Sequence, residues 1–322
     1  MDDGYPAPAD KLIPRLRARL QADPARRPLA PHHRRRRAAA LALVAALALI
    51  VGVVAGASSG GGSAHVAKVA ASGYLRRIST LAGNGAGSFA VAQRAAENTA
   101  ITRTLSYTPY VRVAGTQHKE IALTFDDGPG PYTPQVLSVL ERLHAPATFF
   151  EVGVEEQYFH DSTTKIVLRG YPIGDHTENH ENMGKLGPKQ QQSQLLQETV
   201  AIGNEGAPFP RMFRPPYGLW DNGTLKLLKK YRMLMVLWTV DTDDYELPGV
   251  SAIVDAAVRG ARPGAIILMH DAGGNRAETV AALPKIIRQL RKRGYKLVTV
   301  PRLLLDNPAP KQQNINLVSG SG

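Results

Sequence analysis

Two adjacent carboxylates, Asp126 and Asp127, stand in the string TFDDGP, at the end of an apolar run and just before a Gly-Pro turn. Further on, HTENH sets His176 and His180 four positions apart, so both imidazoles can reach one ion from a helical turn or a tight loop. Neither signal is specific alone. An isolated Asp pair is usually a turn or a helix cap, and a chain with nine His meets such a pair by chance. Joined, one carboxylate and two imidazoles make a three-ligand set with open positions, which describes a catalytic metal rather than a structural one. The ligand types suit zinc, cobalt, nickel or ferrous iron. Neighbours on a strand point to opposite faces, so one Asp can hold the metal while the other acts on a water.

Three further signals fit the same chemistry. His270 ends the apolar run AIILMH and is a candidate general acid. Arg214, in RPPYG, can hold a carboxylate ionised and fix its rotamer. WTVDTDDY carries Asp241, Asp243 and Asp244, any of which could orient and charge the imidazole. The set describes metal-assisted hydrolysis of an acyl compound. A carboxylate takes the water's proton, and a histidinium protonates the departing amine.

These residues need a scaffold that brings strand ends together. Seven apolar runs read as strands: 121–125, 147–152, 171–176, 211–216, 234–240, 265–270 and 296–300. Helical stretches with apolar residues at three and four spacing separate them, as with Val136, Leu137, Leu140 and Leu143. That alternation predicts a parallel α/β sheet, open or closed into a barrel. The polar groups fall where strands end, and in such barrels the site lies at the carboxyl rim.

Composition narrows the function classes. The chain of 322 residues carries a net charge of +12, but the first 37 residues hold ten cations and four acids, or +6. The other 285 residues therefore share the remaining +6, too dilute for a nucleic-acid surface. Cys is absent, which excludes disulfides and thiolate metal sites. After the basic segment 1–37 comes a run without charge at 38–57, long enough to cross a bilayer as a helix. The arginines on its N-terminal flank predict a single-pass anchor with a cytoplasmic N-terminus and the rest outside the cell. Secretion after cleavage near Ala57 is the alternative. Residues 58–117 read as a linker and stalk, 118–305 as the folded domain, and 306–322 as a loose tail. No protein partner is predicted.

TFDDGP, HTENH, RPPYG, DTDDY and LMH occur in the order of the five motifs of the NodB-like polysaccharide deacetylases, carbohydrate esterase family four. The chain resembles that family over about residues 118–305. The resemblance implies a distorted seven-stranded (β/α) barrel that hydrolyses the linear amide of N-acetyl groups on an amino-sugar polymer; the expected anchor, which would hold the site near nascent wall, points to peptidoglycan N-acetylglucosamine. It implies Asp126 as the base and Asp127, His176 and His180 as ligands of a divalent metal, usually zinc, with cobalt or nickel as alternatives. It further implies Arg214 as partner of the base, His270 as the acid, Asp244 as the residue that tunes it, the Tyr217 amide as an oxyanion donor and Leu268 in the acetyl pocket. The fourth motif usually ends in Trp. Here Tyr245 stands instead, which keeps an aromatic wall but changes the groove. The rival readings are a chitin-like or exopolysaccharide substrate, a non-carbohydrate amide, or a catalytically dead sugar-binding protein.

Overall fold

The structure, a computed structural model, describes residues 86–314. The expected anchor at 38–57, the basic segment before it and the end of the tail lie outside the described residues. No helix among the described residues is long and apolar enough to cross a membrane. From Ala95 onward the described residues form one compact unit; residues 86–94 are helical and do not belong to it.

Helix α1 (Ala86–Leu105) leads into strand β1 (Tyr110–Val111) and the long β2 (Glu120–Gly128). Then α2 (Thr133–Arg142), β3 (Thr148–Glu151), α3 (Gly153–Leu168), β4 (Ile173–Asp175) and α4 (Pro188–Asn204) alternate. The alternation continues through β5 (Met212–Phe213), α5 (Asn222–Tyr231), β6 (Leu234–Val236), β7 (Val240–Asp241) and α6 (Val250–Arg259). It closes with β8 (Ile266–His270), α7 (Ala277–Lys292), β9 (Lys296–Val298) and α8 (Val300–Asp306).

Every strand pairing is parallel, in the order β1-β6-β5-β4-β3-β2-β8-β7, with β9 on the start of β2. Seven strands were expected and nine are found among the described residues. One of the two additions is β1, and the other comes from a split of the run at 234–240. That run pairs with β5 as β6 and with β8 as β7, and the backbone changes partner at Leu237–Thr239. The change interrupts the ladder, but it carries one segment from beside β1, at one end of the strand order, to β7 at the other. The parallel sheet fits a distorted (β/α) barrel.

The helices cover the sheet because their apolar faces repeat at helical spacing. Leu283, Ile286, Ile287 and Leu290 of α7 are buried against Ile253, Val254 and Ala257 of α6 and the Phe125–Phe149 stack of β2 and β3. Truncating one such side chain to Ala costs about 2–5 kcal/mol. Strand β2 is covered on both faces, so its sequence reads as a continuous apolar run rather than an alternating one.

Residues grouped with the stalk and the tail by sequence contribute to this fold. Ala100, Ile101, Val111 and Ala114 are buried with Val298 and Leu303, and Gln313 Oε1 accepts hydrogen bonds from the N–H groups of Arg112 and Val113. The Ala-rich stretch before residue 105 reads as helix-like, as a stalk or packing appendage, whereas β1, with two residues, is too short for a periodicity reading.

Candidate active site

Strand β2 brings Asp126 and Asp127 to the barrel rim, and its irregularity decides where they point. The pairing register of β2 on β3 shifts between Asp126 and Gly128, and Asp127 takes a left-handed φ of 70°. A bulge of this kind re-aims a side chain that a regular strand would send to the other face. Both carboxylates consequently line one cavity of about 250 Å³, with His176, His180, Tyr217, Tyr245, Leu268 and His270. Arg214 and Asp244 stand behind its wall, each fully buried.

Among the described residues, Asp127, His176 and His180 bring three ligand atoms within 4.8 Å of one another. Asp127 Oδ1 lies 3.1 Å from His180 Nε2 and 3.6 Å from His176 Nε2. The two histidines come from a loop rather than a helical turn, since Thr177 and His180 have φ of 72° and 55°. Such backbone costs roughly 1–3 kcal/mol per residue and collects where function needs it. His176 Nδ1 lies 2.7 Å from the Arg214 carbonyl, which can only accept, so the ring donates from Nδ1 and leaves the Nε2 lone pair toward Asp127. His180 Nδ1 is 3.2 Å from the Tyr217 hydroxyl. Burial alone would raise the Asp127 carboxyl; the surrounding imidazoles of His176, His180 and His270 outweigh it and hold the group well below the usual carboxylate range. This donor set fits a divalent metal of the zinc type.

Asp126 is held differently. Arg214 Nη1 donates to Asp126 Oδ1 at 2.6 Å and to Thr124 Oγ1 at 2.9 Å, while Nε donates to the Val236 carbonyl at 3.0 Å. Its guanidinium lies over the Phe150 ring, 4.1 Å from the centroid. Burial lowers the Arg214 pKa, and the Asp126 charge opposes that shift. With Oδ1 occupied, Asp126 keeps Oδ2 toward the cavity, 3.7 Å from His176 Nε2.

The acid candidate sits across the cavity on β8, in register with Asp126. Asp244 Oδ1 is 2.7 Å from His270 Nδ1, and Asp244 Oδ2 accepts from the His270 amide at 2.9 Å and the Thr279 hydroxyl at 2.7 Å. Burial would lower the imidazole pKa, but the Asp244 charge and hydrogen bond carry it up to about 9. Of the three acids in WTVDTDDY, the contact to His270 belongs to Asp244. Asp241 instead accepts from the Trp238 indole at 3.1 Å. The Tyr245 ring packs edge-on against His270, with centroids 5.3 Å apart.

Three lining residues carried no signal in sequence. Trp238 falls inside an apolar run, where it reads as core. Gly273, at φ 71°, lets the loop after β8 pass so close that a Cβ there would overlap Asp127 Oδ2. Arg276 is buried, and its Nε and Nη2 donate to the carbonyls of Ala272 and Gly273 at 2.7 and 3.0 Å. It thereby fixes that loop against the site.

Comparison with known proteins decides the family. The pattern described as "Polysaccharide deacetylase" matches residues 114–236. A peptidoglycan-N-acetylglucosamine deacetylase of Bacillus cereus is 39% identical over 58% of this chain and 88% of its own length. The chain belongs to the polysaccharide deacetylases. A chitooligosaccharide deacetylase of Sinorhizobium fredii is 35% identical over 62% of this chain and 98% of its own. The crystal structure of a peptidoglycan N-acetylglucosamine deacetylase superposes with a TM-score of 0.60 at 31% identity, over 65% of this deacetylase and 97% of that chain. The enzyme is a hydrolase acting on acetylated amino-sugar polymers, with the NodB-like barrel that its five motifs implied.

Proposed function

We propose that this deacetylase removes N-acetyl groups from peptidoglycan N-acetylglucosamine, with Asp127, His176 and His180 holding zinc. One observation carries the mechanism: an Arg-held carboxylate and an Asp-held imidazole face one cavity across that ligand set. A bound zinc supplies the Lewis acidity that brings the pKa of water toward neutrality. Asp126 Oδ2 takes the proton of the attacking water, since Oδ1 is engaged by Arg214. The Tyr217 amide, in a cavity-lining residue with φ of 60°, donates to the oxygen on which negative charge develops. His270, protonated below about pH 9, gives the proton from Nε2 to the departing amine, so the nitrogen leaves neutral. Leu268 and Tyr245 border the acetyl group and the sugar face.

The peptidoglycan substrate is supported by the Bacillus relative and by the apolar span at 38–57, which would tether the barrel outside the membrane near nascent wall. The similarity to chitooligosaccharide deacetylases supports neutral oligosaccharides as the second reading. The test is acetate release from purified wall glycan and from chitooligosaccharides by the zinc-loaded enzyme and after chelation. Turnover on the wall glycan that vanishes with the metal is the expected outcome. Faster release from chitooligosaccharides overturns the substrate, and undiminished release after chelation overturns the mechanism. Protease shaving of intact cells should remove residues 118–305, and full protection would refute the external location.

A further inference from the structure

Asp127 has a left-handed backbone, a costly conformation for a residue with a Cβ, so the chain on both sides of it must be held. Asp271, the residue after β8, holds both sides. Upstream, its amide donates to the Asp126 carbonyl at 3.2 Å. Downstream, the Thr133 hydroxyl donates to Asp271 Oδ2 at 2.5 Å and accepts from the Gly130 amide at 2.8 Å. The first of these lies in the short range of hydroxyl–carboxylate bonds. Gly130 comes three positions after Asp127, so the two links bracket the bulge.

The glycines of the turn show how tightly this bracket packs. A Cβ on Gly128 would come within 2.8 Å of both Asp271 oxygens, and one on Gly130 would overlap the Ala272 Cβ. Neither glycine has a left-handed φ, so both supply space rather than conformational freedom. Asp271 is fully buried, and its Oδ1 has no hydrogen-bond partner. It shares its burial with an acid layer behind β4, made of Glu151, Glu156, Asp175 and Glu198. Unlike those acids, Asp271 bonds directly to the strand that carries the two cavity carboxylates. A carboxylate is an expensive group to bury for an ordinary packing contact.

We propose, on the reading of Asp127 as a metal ligand, that Asp271 and Thr133 are positioning residues for the metal site. Their hydrogen bond fixes the turn after β2 and so holds Asp127 where it meets His176 and His180. Neither residue lines the cavity, so both act on the metal through the backbone of that turn.

The test is the zinc affinity of Thr133→Val and Thr133→Ser, by competition with a chelating dye, beside the visible spectrum of the cobalt-loaded proteins. Valine keeps the shape of threonine and removes both hydrogen bonds, whereas serine keeps them. Thr133→Val should bind zinc about 10–100-fold more weakly and change the cobalt absorption, as alterations behind a metal ligand do. Thr133→Ser should match the wild type in both readouts. Asp271→Ala should also weaken zinc binding, and adding Thr133→Val to it should weaken it no further, because the two act through one bond. A Thr133→Val protein that melts lower but keeps wild-type zinc affinity and cobalt spectrum overturns the proposal, since the hydroxyl then serves only the start of α2. Thr133→Ser as weak as Thr133→Val, or an additive loss in the double variant, overturns it too. Asp127→Ala separates this from the ligand assignment. If it loses zinc while Thr133→Val retains it, the ligand stands and the positioning role falls; if it keeps zinc, both fall.

Discussion

The cavity over the strand ends and the acid layer behind β4 are both built from buried carboxylates, and they are balanced in opposite ways. In the cavity each acid has a cationic or donor partner: Asp126 has Arg214, Asp127 has two imidazoles, and Asp244 has His270. Burial pushes Asp127 and Asp244 up, and their partners hold both below the ordinary carboxylate value. Behind β4 burial and neighbouring acids act in the same direction, opposed only by threonine hydrogen bonds such as those of Thr177 and Thr199 to Asp175, and they carry Glu151 up to about 8 and Glu156, Asp175 and Glu198 upward as well. Desolvation is the common force, and the partner decides the sign. A single strand separates the two regimes.

The largest expected effect breaks the cavity's balance without emptying it. Asp126→Asn should lower kcat by about 10²–10⁴-fold and keep the metal, because the amide accepts no proton at neutral pH. Asp127→Ala should lose the metal itself. Elemental analysis beside kcat distinguishes the neighbours, and an Asp126→Asn protein that loses its zinc would reverse the assignment.

Gly273→Ala comes next. The new Cβ would press on Asp127 Oδ2 from a backbone that disfavours any side chain. Metal affinity should fall by about 10–100-fold, as for other changes around a ligand, measured by competition with a chelating dye. Unchanged affinity would mean that the loop moves freely.

Asp244→Asn tests the imidazole's partner through pH. As the proposed acid His270 acts in its protonated form, so with its pKa near 9 activity should persist through neutral pH and fall above that value. Without the Asp244 charge the pKa should drop toward its ordinary 6.5. The basic limb of the pH–rate profile should move down accordingly, while the acidic limb stays. A basic limb that does not move would remove Asp244 from this role.

The smallest effect is expected from Tyr245→Trp. The ring already packs edge-on against His270, and a larger aromatic there changes contact by about 0.5–1.5 kcal/mol. KM on oligosaccharides should shift a few-fold with kcat nearly constant. A large loss of kcat would show that the Tyr hydroxyl, 3.2 Å from Asp243 Oδ1, has a part in the chemistry.

Much of the site was legible because strand ends are legible. Apolar runs mark strands, a parallel sheet aligns their carboxyl ends, and polar residues at those ends must meet at one rim. Asp126, Asp127, His176, Arg214 and His270 were all readable on that logic. Gly273 and Arg276 were not, since their importance is a distance to Asp127 and a set of bonds to backbone carbonyls, and neither leaves a pattern in residue order. The acid layer was equally silent: Glu151, Glu156 and Glu198 are scattered single letters, and only packing buries them behind the sheet.

Residue order by itself determined the alternation of strand and helix, the five motifs and the chemistry of the ligand types, because periodicity and side-chain identity are local properties. The tertiary structure decided which groups share a surface. The bulge at Asp127 turned two neighbours into one cavity, and the partner change at Leu237–Thr239 split one apolar run between β5 and β8. Asp244 rather than Asp241 came to face His270. Each of these depends on a backbone departure or a long-range pairing whose free energy is set by residues far apart in the chain.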